Sequence, residues 1–383
     1  MKRAAVLLLA IILISVGLSY AAVYYTQKSS ARDEFFFGVS FGQQTAAEAK
    51  VMIDKVKGYT NFFLVNNWDI ATNETALNEV CDYAAQAGLK FIVFFDLISR
   101  IAYPWHQTWL DTAKERWGDK FLGVHLRDEL GGKQIDDAPN NKSVAEAADY
   151  SDAANRFVSN ITSSNSTVDA KSKGVPMFIS DYALYWFDYL AGYDTVFVEL
   201  GWNHSTPQHI ALCRGAANMQ GRDWGAIIVW TYREGTHESG YLASGTKILE
   251  DMTAAYRAGA KYVVVFNYPT YPEANPYGIL QPEHFAAMQQ FWDYVHDYPR
   301  GTNGKVDGQV AFVLPKDYGW GMRSATDNIW GLWSADEKAS LIWENINKLI
   351  QKHGLELDIV YDDDRFNIGE KYSKVYFWNE TID

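Results

Sequence analysis

The sequence predicts a (β/α)8 barrel, because short apolar strand candidates alternate with segments of helical spacing through most of the chain. Eight candidates occur between residues 35 and 268, and most of them end in a polar or acidic residue. They are Phe35–Ser40, Phe62–Asn66, Phe91–Asp96, Phe121–Glu129, Met177–Asp181, Thr195–Glu199, Ala226–Glu234 and Tyr262–Asn267. Eight strand–helix units in one run are what this barrel requires, and its chemistry lies at the carboxyl ends of the strands.

The main alternative fold is an open doubly wound sheet, which has fewer strands and a glycine-rich turn after the first one. Here the first strand leads into the run from Phe41 to Thr45 (FGQQT), which lacks that phosphate-binding pattern. The segments between strands read as helices. Glu74–Ala87 carries an apolar stripe, and Pro282 stands at the first position of a helix, which its missing N–H tolerates. The barrel is therefore favoured.

The helical pattern that begins at Pro282 breaks at Tyr298-Pro299, and a new pattern starts further on. The predicted domains are a barrel over residues 34–300 and a C-terminal α/β unit over residues 301–383. The strands predicted for the C-terminal unit are Gln309–Leu314, Asp358–Tyr361 and Lys374–Trp378, with a helix over Ala335–His353.

The N-terminus predicts export. Residues 1–25 form a signal peptide or a transmembrane anchor, followed by a polar linker over residues 26–33. The apolar stretch is longer than that of a cleavable signal, which favours the anchor. Lys2 and Arg3 would hold the N-terminus inside, so the globular part would be extracellular. Six glycosylation sequons agree with an exported glycoprotein, at Asn73, Asn141, Asn160, Asn165, Asn203 and Asn379.

The composition excludes some classes of partner. The formal net charge of −13 over 383 residues argues against a nucleic-acid surface, since such surfaces are basic. Aromatic residues make up 15% of the chain, with 14 Trp, so some are available to stack on the apolar faces of sugar rings. The sequence leaves the oligomeric state open.

No cofactor and no metal are predicted. His204, His209 and His237 are scattered and lack the ligand spacing of a zinc site. No nucleophile-elbow or phosphate-loop motif occurs. Cys81 and Cys213 fall on helices expected on opposite sides of the barrel, so both should be unpaired and buried.

Side-chain alternation along three strands predicts where their acidic residues point. On the fourth strand the inward set is Gly123, His125, Arg127 and Glu129, and the set facing the helices is Leu122, Val124 and Leu126. On the sixth strand Thr195, Phe197 and Glu199 share a face. On the seventh strand Ile228, Trp230, Tyr232 and Glu234 share a face by the same logic. A His, an Arg and a Glu inside a barrel are costly to bury unless they are paired.

Carboxyl groups at strand ends are the chemistry of glycoside hydrolysis, which needs one general acid and one nucleophile or base. The candidate catalytic residues are Glu129, Glu234 and Glu199. The candidate substrate contacts, at or beside strand ends, are Asp128, Arg127, Asn66, Asp96, Asp181, Trp202, Trp230, Tyr232 and Asn267. Trp68 and Trp105 are further candidate sugar platforms.

Glutamates at the ends of strands four and seven of a barrel resemble those of the clan A retaining glycoside hydrolases. The resemblance implies that Glu129 is the acid/base and Glu234 the nucleophile. It departs from the clan at Asp128, where an Asn is usual, and at Glu199, where a Tyr or His is common. Glu199 is therefore an alternative member of the catalytic pair. The C-terminal unit is similar to accessory domains of barrel-type galactosidases.

Each assignment has a structural alternative. Glu129 could form a buried ion pair with Arg127, and Glu234 could be a solvated charge beside Arg233. Asp96 and Asp181 are better interpreted as helix caps or loop acids than as catalysts, and His125 is better interpreted as a hydrogen-bonded core residue than as a ligand. For the whole chain we expect an extracellular glycoside hydrolase acting on a polysaccharide or glycan. The alternatives are a non-catalytic carbohydrate-binding barrel and a cell-envelope structural protein.

Overall fold

The computed structural model describes residues 34–95, 103–138, 141–201, 204–229, 231–232, 241–269, 275–300 and 307–382. Its strands in the barrel region are β1 (Phe36–Phe41), β2 (Phe62–Val65), β3 (Lys90–Phe94), β4 (Phe121–His125), β5 (Met177–Asp181), β6 (Thr195–Leu200), β7 (Asp223–Ile228), β8 (Thr231–Tyr232), β9 (Tyr241–Leu242) and β10 (Tyr262–Phe266). Strands β1 to β7 and β10 are parallel and close into an eight-stranded barrel, in which β10 pairs with β1. The predicted barrel is confirmed.

Helices follow the strands of the barrel. They are α1 (Ala46–Val56), α2 (Trp68–Ala71), α3 (Glu74–Gln86), α4 (Trp105–Trp117), α5 (Leu130–Asp136), α6 (Tyr150–Thr162), α7 (Asn165–Ser172), α8 (Tyr185–Leu190), α9 (Thr206–Gln220), α10 (Gly245–Arg257) and α11 (Pro282–Asp297). The apolar stripe predicted in α3 is buried, and α11 begins at Pro282 as expected. Thr45 and Glu48 form a reciprocal capping box at the start of α1.

An aromatic cluster fills the barrel interior. The ring centroids of Phe178, Phe197 and Tyr262 lie 5.5–5.8 Å apart, in stacked and edge-to-face pairs. Gly225 is required beside them, because a Cβ there would lie 2.5 Å from the Phe197 ring. The filled interior means that a ligand reaches the barrel at its mouth rather than through its centre.

β4 is shorter than the sequence predicts and ends before Glu129. Arg127 and Glu129 have φ values of 65° and 54°, which are left-handed conformations incompatible with a strand. The pairing of β4 with β3 also shifts register, and Gly123 has a φ of 146° at the shift. The predicted alternation is therefore wrong at Leu122, which packs against the barrel interior, and right at Val124, which packs in the helix layer.

β7 also ends early, at Ile228, and the next two residues that pair belong to a separate hairpin of β8 and β9. Ile228 packs in the helix layer, whereas Ile227 and Val229 pack in the barrel interior. Ile228, which alternation places on one face with Glu234, therefore packs against the helices. Alternation does not identify the inner face of β7, because Ile227 and Val229 are as apolar as Ile228. Glu234 lies outside the described residues.

The C-terminal unit is a three-stranded parallel sheet in the order β12-β11-β13, with one long helix. Its elements are β11 (Val310–Leu314), α12 (Glu337–His353), β12 (Leu357–Tyr361) and β13 (Lys374–Phe377). The unit packs closely on α9, since a Cβ at Gly215 would lie 2.5 Å from the carbonyl oxygen of Ile359. Arg214 on α9 and Asp358 on β12 form a buried ion pair of 2.7 Å.

Two further expectations concern the cysteines and the N-terminus. Cys81 and Cys213 are both unpaired and buried, as predicted. Residues 1–25, where the signal or anchor is predicted, lie outside the described residues. Among the helices that are described, none combines the length and the apolar character needed to cross a membrane.

Candidate active site

Glu129 stands at the mouth of the barrel, between β4 and the first turn of α5. Its backbone N–H donates a hydrogen bond of 2.9 Å to the carbonyl oxygen of Ser180 on β5. Its left-handed conformation (φ 54°) turns the chain from the strand into the helix. Such a conformation is unfavourable for a residue with a side chain and persists only where the surroundings impose it.

Asp181 at the end of β5 supplies part of those surroundings. Its carboxylate accepts hydrogen bonds from the N–H groups of Gly131 (2.6 Å) and Gly132 (2.8 Å), in the first turn of α5. It also accepts from the N–H groups of Tyr182 and Ala183. The side chain is completely buried. These bonds support the interpretation of Asp181 as a helix cap. The helix that it caps is α5, which begins at the residue after Glu129.

The carboxyl group of Glu129 is partly exposed, at 24% of its side-chain area. Burial raises its pKa to about 7, and the neighbouring carboxylate of Asp128 adds to the rise. Lys133, whose Nζ lies 3.5 Å from a Glu129 carboxylate oxygen, acts in the opposite direction. Within the described part of the chain, no ion pair joins Glu129 to Arg127, and its cationic partner is Lys133 instead.

Asp128 belongs to a short hydrogen-bonded chain at the ends of β4 and β5. The hydroxyl of Ser180 donates to Asp128 Oδ1 at 2.6 Å, and a ring nitrogen of His125 lies 3.2 Å from the same hydroxyl. His125 is completely buried, and burial lowers its pKa to about 4. His125 is therefore a neutral core residue with a hydrogen bond, in agreement with the structural interpretation given for it from the sequence. Asp128 faces Ser180 and remains partly exposed.

Glu199 lies near the end of β6, on the same face as Phe197 of the interior cluster. It is 4% exposed. Ser180 on β5 pairs with Phe197 on β6, and Ser180 also accepts the hydrogen bond from the backbone of Glu129. Glu199 lies two residues further along β6 than Phe197. The two glutamates therefore approach the barrel mouth from opposite sides of β5.

The remaining predicted contacts divide into three groups. Asn66 lies at the mouth, where its Nδ2 donates to the hydroxyl of Ser40 at 3.0 Å. Asn267 is completely buried between two loops, the one after β1 that contains Gln43 and the one after β10 that contains Gly278. Those outside the described residues are Asp96, Trp202, Trp230 and the side chain of Tyr232.

Sequence reasoning missed several residues that build this site. Lys133 could be found from the sequence, because a Lys four residues after a Glu at the start of a helix is placed to form an ion pair with it. Ser180 also has one, because it shares the inward face of β5 with Phe178. Phe94 lies at the end of β3, with its ring 5.4 Å from that of His125. In the described chain no group of three or more acidic, His or Cys side chains is arranged to hold a metal ion.

Comparison with known proteins bears on the fold. No protein-family model and no curated protein matches the sequence. The chain is similar in structure to a cold-adapted β-galactosidase from Rahnella sp. R3, with a TM-score of 0.58 and 10% identity over 90% of this chain and 67% of that one. A β-galactosidase from Marinomonas ef1 gives a TM-score of 0.56 and 10% identity over 90% of this chain and 72% of that one.

A third similar structure is the α-L-fucosidase isoenzyme 2 from Paenibacillus thiaminolyticus, with a TM-score of 0.51 and 13% identity. The alignment covers 89% of this chain and 59% of the fucosidase. Because residues 1–300 amount to less than four fifths of the chain, these likenesses extend into the C-terminal unit. At such low identity they establish the shared fold.

Proposed function

We propose that this protein is a glycoside hydrolase in which Glu129 is the general acid. The observation that carries the proposal is the state of this carboxyl group, which is accessible at a strand end and has its pKa raised to about 7. A carboxyl group that keeps its proton near neutral pH can protonate the departing glycosidic oxygen. The likeness to glycosidase barrels supports the same reading.

The second carboxylate is Glu234 or Glu199. Glu234 follows from the resemblance to clan A enzymes, and Glu199 from its place on the inner face of β6. In a retaining reaction this carboxylate attacks the anomeric carbon as Glu129 protonates the leaving oxygen. Glu129 then takes a proton from water, which displaces the enzyme carboxylate and releases the sugar.

The substrate we propose is a polysaccharide or glycan. Two aromatic side chains just beyond barrel strand ends are unusually exposed, Trp68 after β2 at 41% and Tyr268 after β10 at 55%. β2 and β10 both neighbour β1, so the two rings lie on one side of the barrel mouth. Exposed aromatic rings at a cleft are suited to stacking on sugar rings, whose faces are largely apolar.

The test is hydrolysis of a broad panel of glycans and aryl glycosides by the wild-type chain and by Glu129→Gln. We expect turnover by the wild type and a loss of about 100-fold or more in kcat/KM for the variant. Glu199→Gln and Glu234→Gln identify the second carboxylate. Glu344→Gln, on the exposed face of α12, is the matched control and should retain full activity.

Glycan binding without turnover, unaffected by Glu129→Gln, would instead support a carbohydrate-binding barrel. Self-association at low concentration with no glycan affinity would support a structural role.

We also propose that the protein is exported and tethered through residues 1–25. The support is the basic start and long apolar stretch of this segment. The check is cell fractionation with external protease. Membrane-bound, protease-accessible protein that becomes soluble on deletion of residues 1–25 fits the proposal, and protein protected inside the cell contradicts it.

A further inference from the structure

We propose that Arg323 of the C-terminal unit is a positioning residue for Glu129, through a segment over residues 317–333 that holds α5. The inference rests on the proposed role of Glu129. α5 begins at the residue after Glu129, so its placement determines where the carboxyl group lies. Asp181 holds the first turn of α5, and the C-terminal segment holds the rest of it.

Two direct contacts join the segment to α5. Arg323 Nη1 forms an ion pair of 2.7 Å with Asp136 Oδ2 at the last residue of the helix. Gln134 Nε2 donates a hydrogen bond of 2.8 Å to the carbonyl oxygen of Trp330. Gln134 is buried, so this bond has no competition from water and costs free energy when it is lost.

A third contact is made through Lys142, which follows α5 in the chain. Its Nζ donates to the carbonyl oxygens of Gln134 (2.7 Å) and Ile135 (2.8 Å), in the last turn of the helix. Gly331 of the segment covers this ammonium group, because a Cβ at Gly331 would lie 2.4 Å from Lys142 Nζ. The segment therefore encloses the carboxyl end of α5.

Backbone strain concentrates in the same place. In the described chain the non-glycine residues with positive φ are Arg127, Glu129, Leu184, Asp317, Met322 and Trp330. They lie in the loop after β4, in the loop after β5, and in the C-terminal segment. Such conformations are unfavourable for residues with a side chain, and they cluster at functional sites. Residues with positive φ therefore lie on both sides of the contact between the segment and α5.

Arg323 is itself rigidly placed. Its Nε and Nη2 each donate to a different oxygen of Asp327, both at 2.8 Å, which leaves Nη1 directed at Asp136. Asp136 also accepts a hydrogen bond of 2.9 Å from the hydroxyl of Tyr182. Burial lowers the pKa of His204, in the loop after β6, and the nearby charge of Arg323 adds to that effect. Arg323 thus lies between the loops that follow the strands of Glu129 and Glu199.

Several charged and titratable groups surround Glu129 and Arg323. Those acting on Glu129 are Asp128, Lys133 and Asp181, and Tyr182 faces it. Those acting on Arg323 and its partners are Asp136, Asp327, His204, His209 and Lys142. No pH-dependent role is needed for Arg323, because its effect on Glu129 is geometric.

A misplaced acid has a distinctive kinetic signature. Protonation matters for a poor leaving group such as an alkoxide, and hardly at all for 2,4-dinitrophenolate, which leaves without a proton. A shift of about 1 Å in a catalytic group can lower the rate about 100-fold. Loss of Arg323 should therefore slow hydrolysis of alkyl glycosides much more than that of dinitrophenyl glycosides.

The experiment compares Arg323→Met with Arg365→Met in the full chain. Arg365 is the matched control, because it makes a similar pair with Asp363 in the turn after β12 and, within the described residues, no hydrogen bond or ion pair with α5. We expect Arg323→Met to lower kcat/KM about 10- to 100-fold for an alkyl glycoside and less than about threefold for a dinitrophenyl glycoside. Hydrogen exchange at residues 130–136 should also accelerate in this variant alone. Arg323→Lys, which keeps the charge, should recover part of the loss.

The outcomes separate this inference from the proposed function. Full activity of Glu129→Gln on alkyl glycosides would contradict the proposed role of Glu129 as the general acid. A large loss in Glu129→Gln, together with an Arg323→Met variant that matches Arg365→Met, would overturn the positioning role alone. An equal loss on both substrates would also overturn it, because it would indicate a general disturbance of the fold.

Discussion

The carboxylate of Asp181 accepts a hydrogen bond of 2.6 Å from the backbone N–H of Gly131. Asp181 belongs to the barrel wall, and Gly131 to the helix that begins just after Glu129. The bond therefore joins a barrel strand to the helix that follows the strained residue Glu129. The glycine is required there, because a Cβ at Gly131 would lie 2.4 Å from the carbonyl oxygen of Ala183.

Asp181→Asn should destabilise the protein. The amide can accept from some of the four N–H groups that Asp181 now binds, but its NH2 group opposes at least one of them. A buried donor left without a partner costs about 1–3 kcal/mol. Burial raises the pKa of Asp181 to about 7, and the four N–H groups act against that rise. Removal of the buried charge therefore offsets part of the loss, and the free energy of unfolding measured in denaturant at pH 8 should fall by about 1 kcal/mol. Asp111→Asn, at an exposed surface pair with Lys173, should change it by less than about 1 kcal/mol.

Glu129→Gln should stabilise the protein at alkaline pH. The folded-state pKa of Glu129 is about 7, above its ordinary value of 4.5, so the folded chain holds the proton more tightly than the unfolded chain. The stability that this group contributes falls as pH rises from about 4.5 and is fully lost above about 7. Removal of the charge should raise the unfolding free energy by on the order of 1–3 kcal/mol at pH 8.

At pH 4 the same comparison should show little difference between Glu129→Gln and the wild type, since Glu129 is then protonated in both states. Glu344→Gln provides the control for removing an exposed carboxylate. A variant that is less stable than the wild type at pH 8 would mean that Glu129 is ionised and well paired in the folded state.

Lys133→Met should move the alkaline limb of the activity profile to higher pH. The activity of an enzyme with Glu129 as its acid falls as pH rises through about 7, because the proton is lost. Lys133 favours the ionised carboxylate, so its removal raises the pKa and keeps the proton to higher pH. The measurement is kcat/KM against pH. Lys348→Met, in another pair of the same spacing, should leave the limb in place, and a shift to lower pH in Lys133→Met would contradict the assignment.

Arg214→Met should destabilise the contact between the barrel and the C-terminal unit. Arg214 and Asp358 are 3% and 0% exposed, so the variant leaves a buried carboxylate without its cation. Asn218 and Tyr372 still donate hydrogen bonds to Asp358, but they do not neutralise it. We expect a loss of about 3–5 kcal/mol in unfolding free energy. The double variant with Asp358→Asn should recover part of that loss, and a single variant as stable as the wild type would show that the pair is dispensable.

The barrel was predictable because its strands are apolar runs with regular helical spacers. Eight such runs leave few other arrangements, and the hydrophobic effect that buries them does not depend on fine detail. The face of Glu199 was also predictable, since β6 alternates without interruption from Thr195.

The ends of β4 and β7 were not predictable by the same rule. Alternation assumes a continuous strand, and it fails at Gly123, where the register shifts, and at Arg127 and Glu129, whose positive φ values turn the chain. Such backbone strain is imposed by distant partners, among them Asp181 and the segment over residues 317–333. A contact of this kind, such as that between Asp136 and Arg323, spans 187 residues of sequence and leaves no local pattern.

The pH at which Glu129 ionises in the folded protein decides whether this residue can act as a general acid. Its carboxyl carbon can be followed by 13C NMR between pH 3 and 9, and assigned by the signal that Glu129→Gln removes. We expect the carboxyl group to ionise near pH 7. Ionisation near pH 4, as for an ordinary exposed glutamate, would contradict it, because Glu129 would then have no proton to give a leaving sugar at neutral pH.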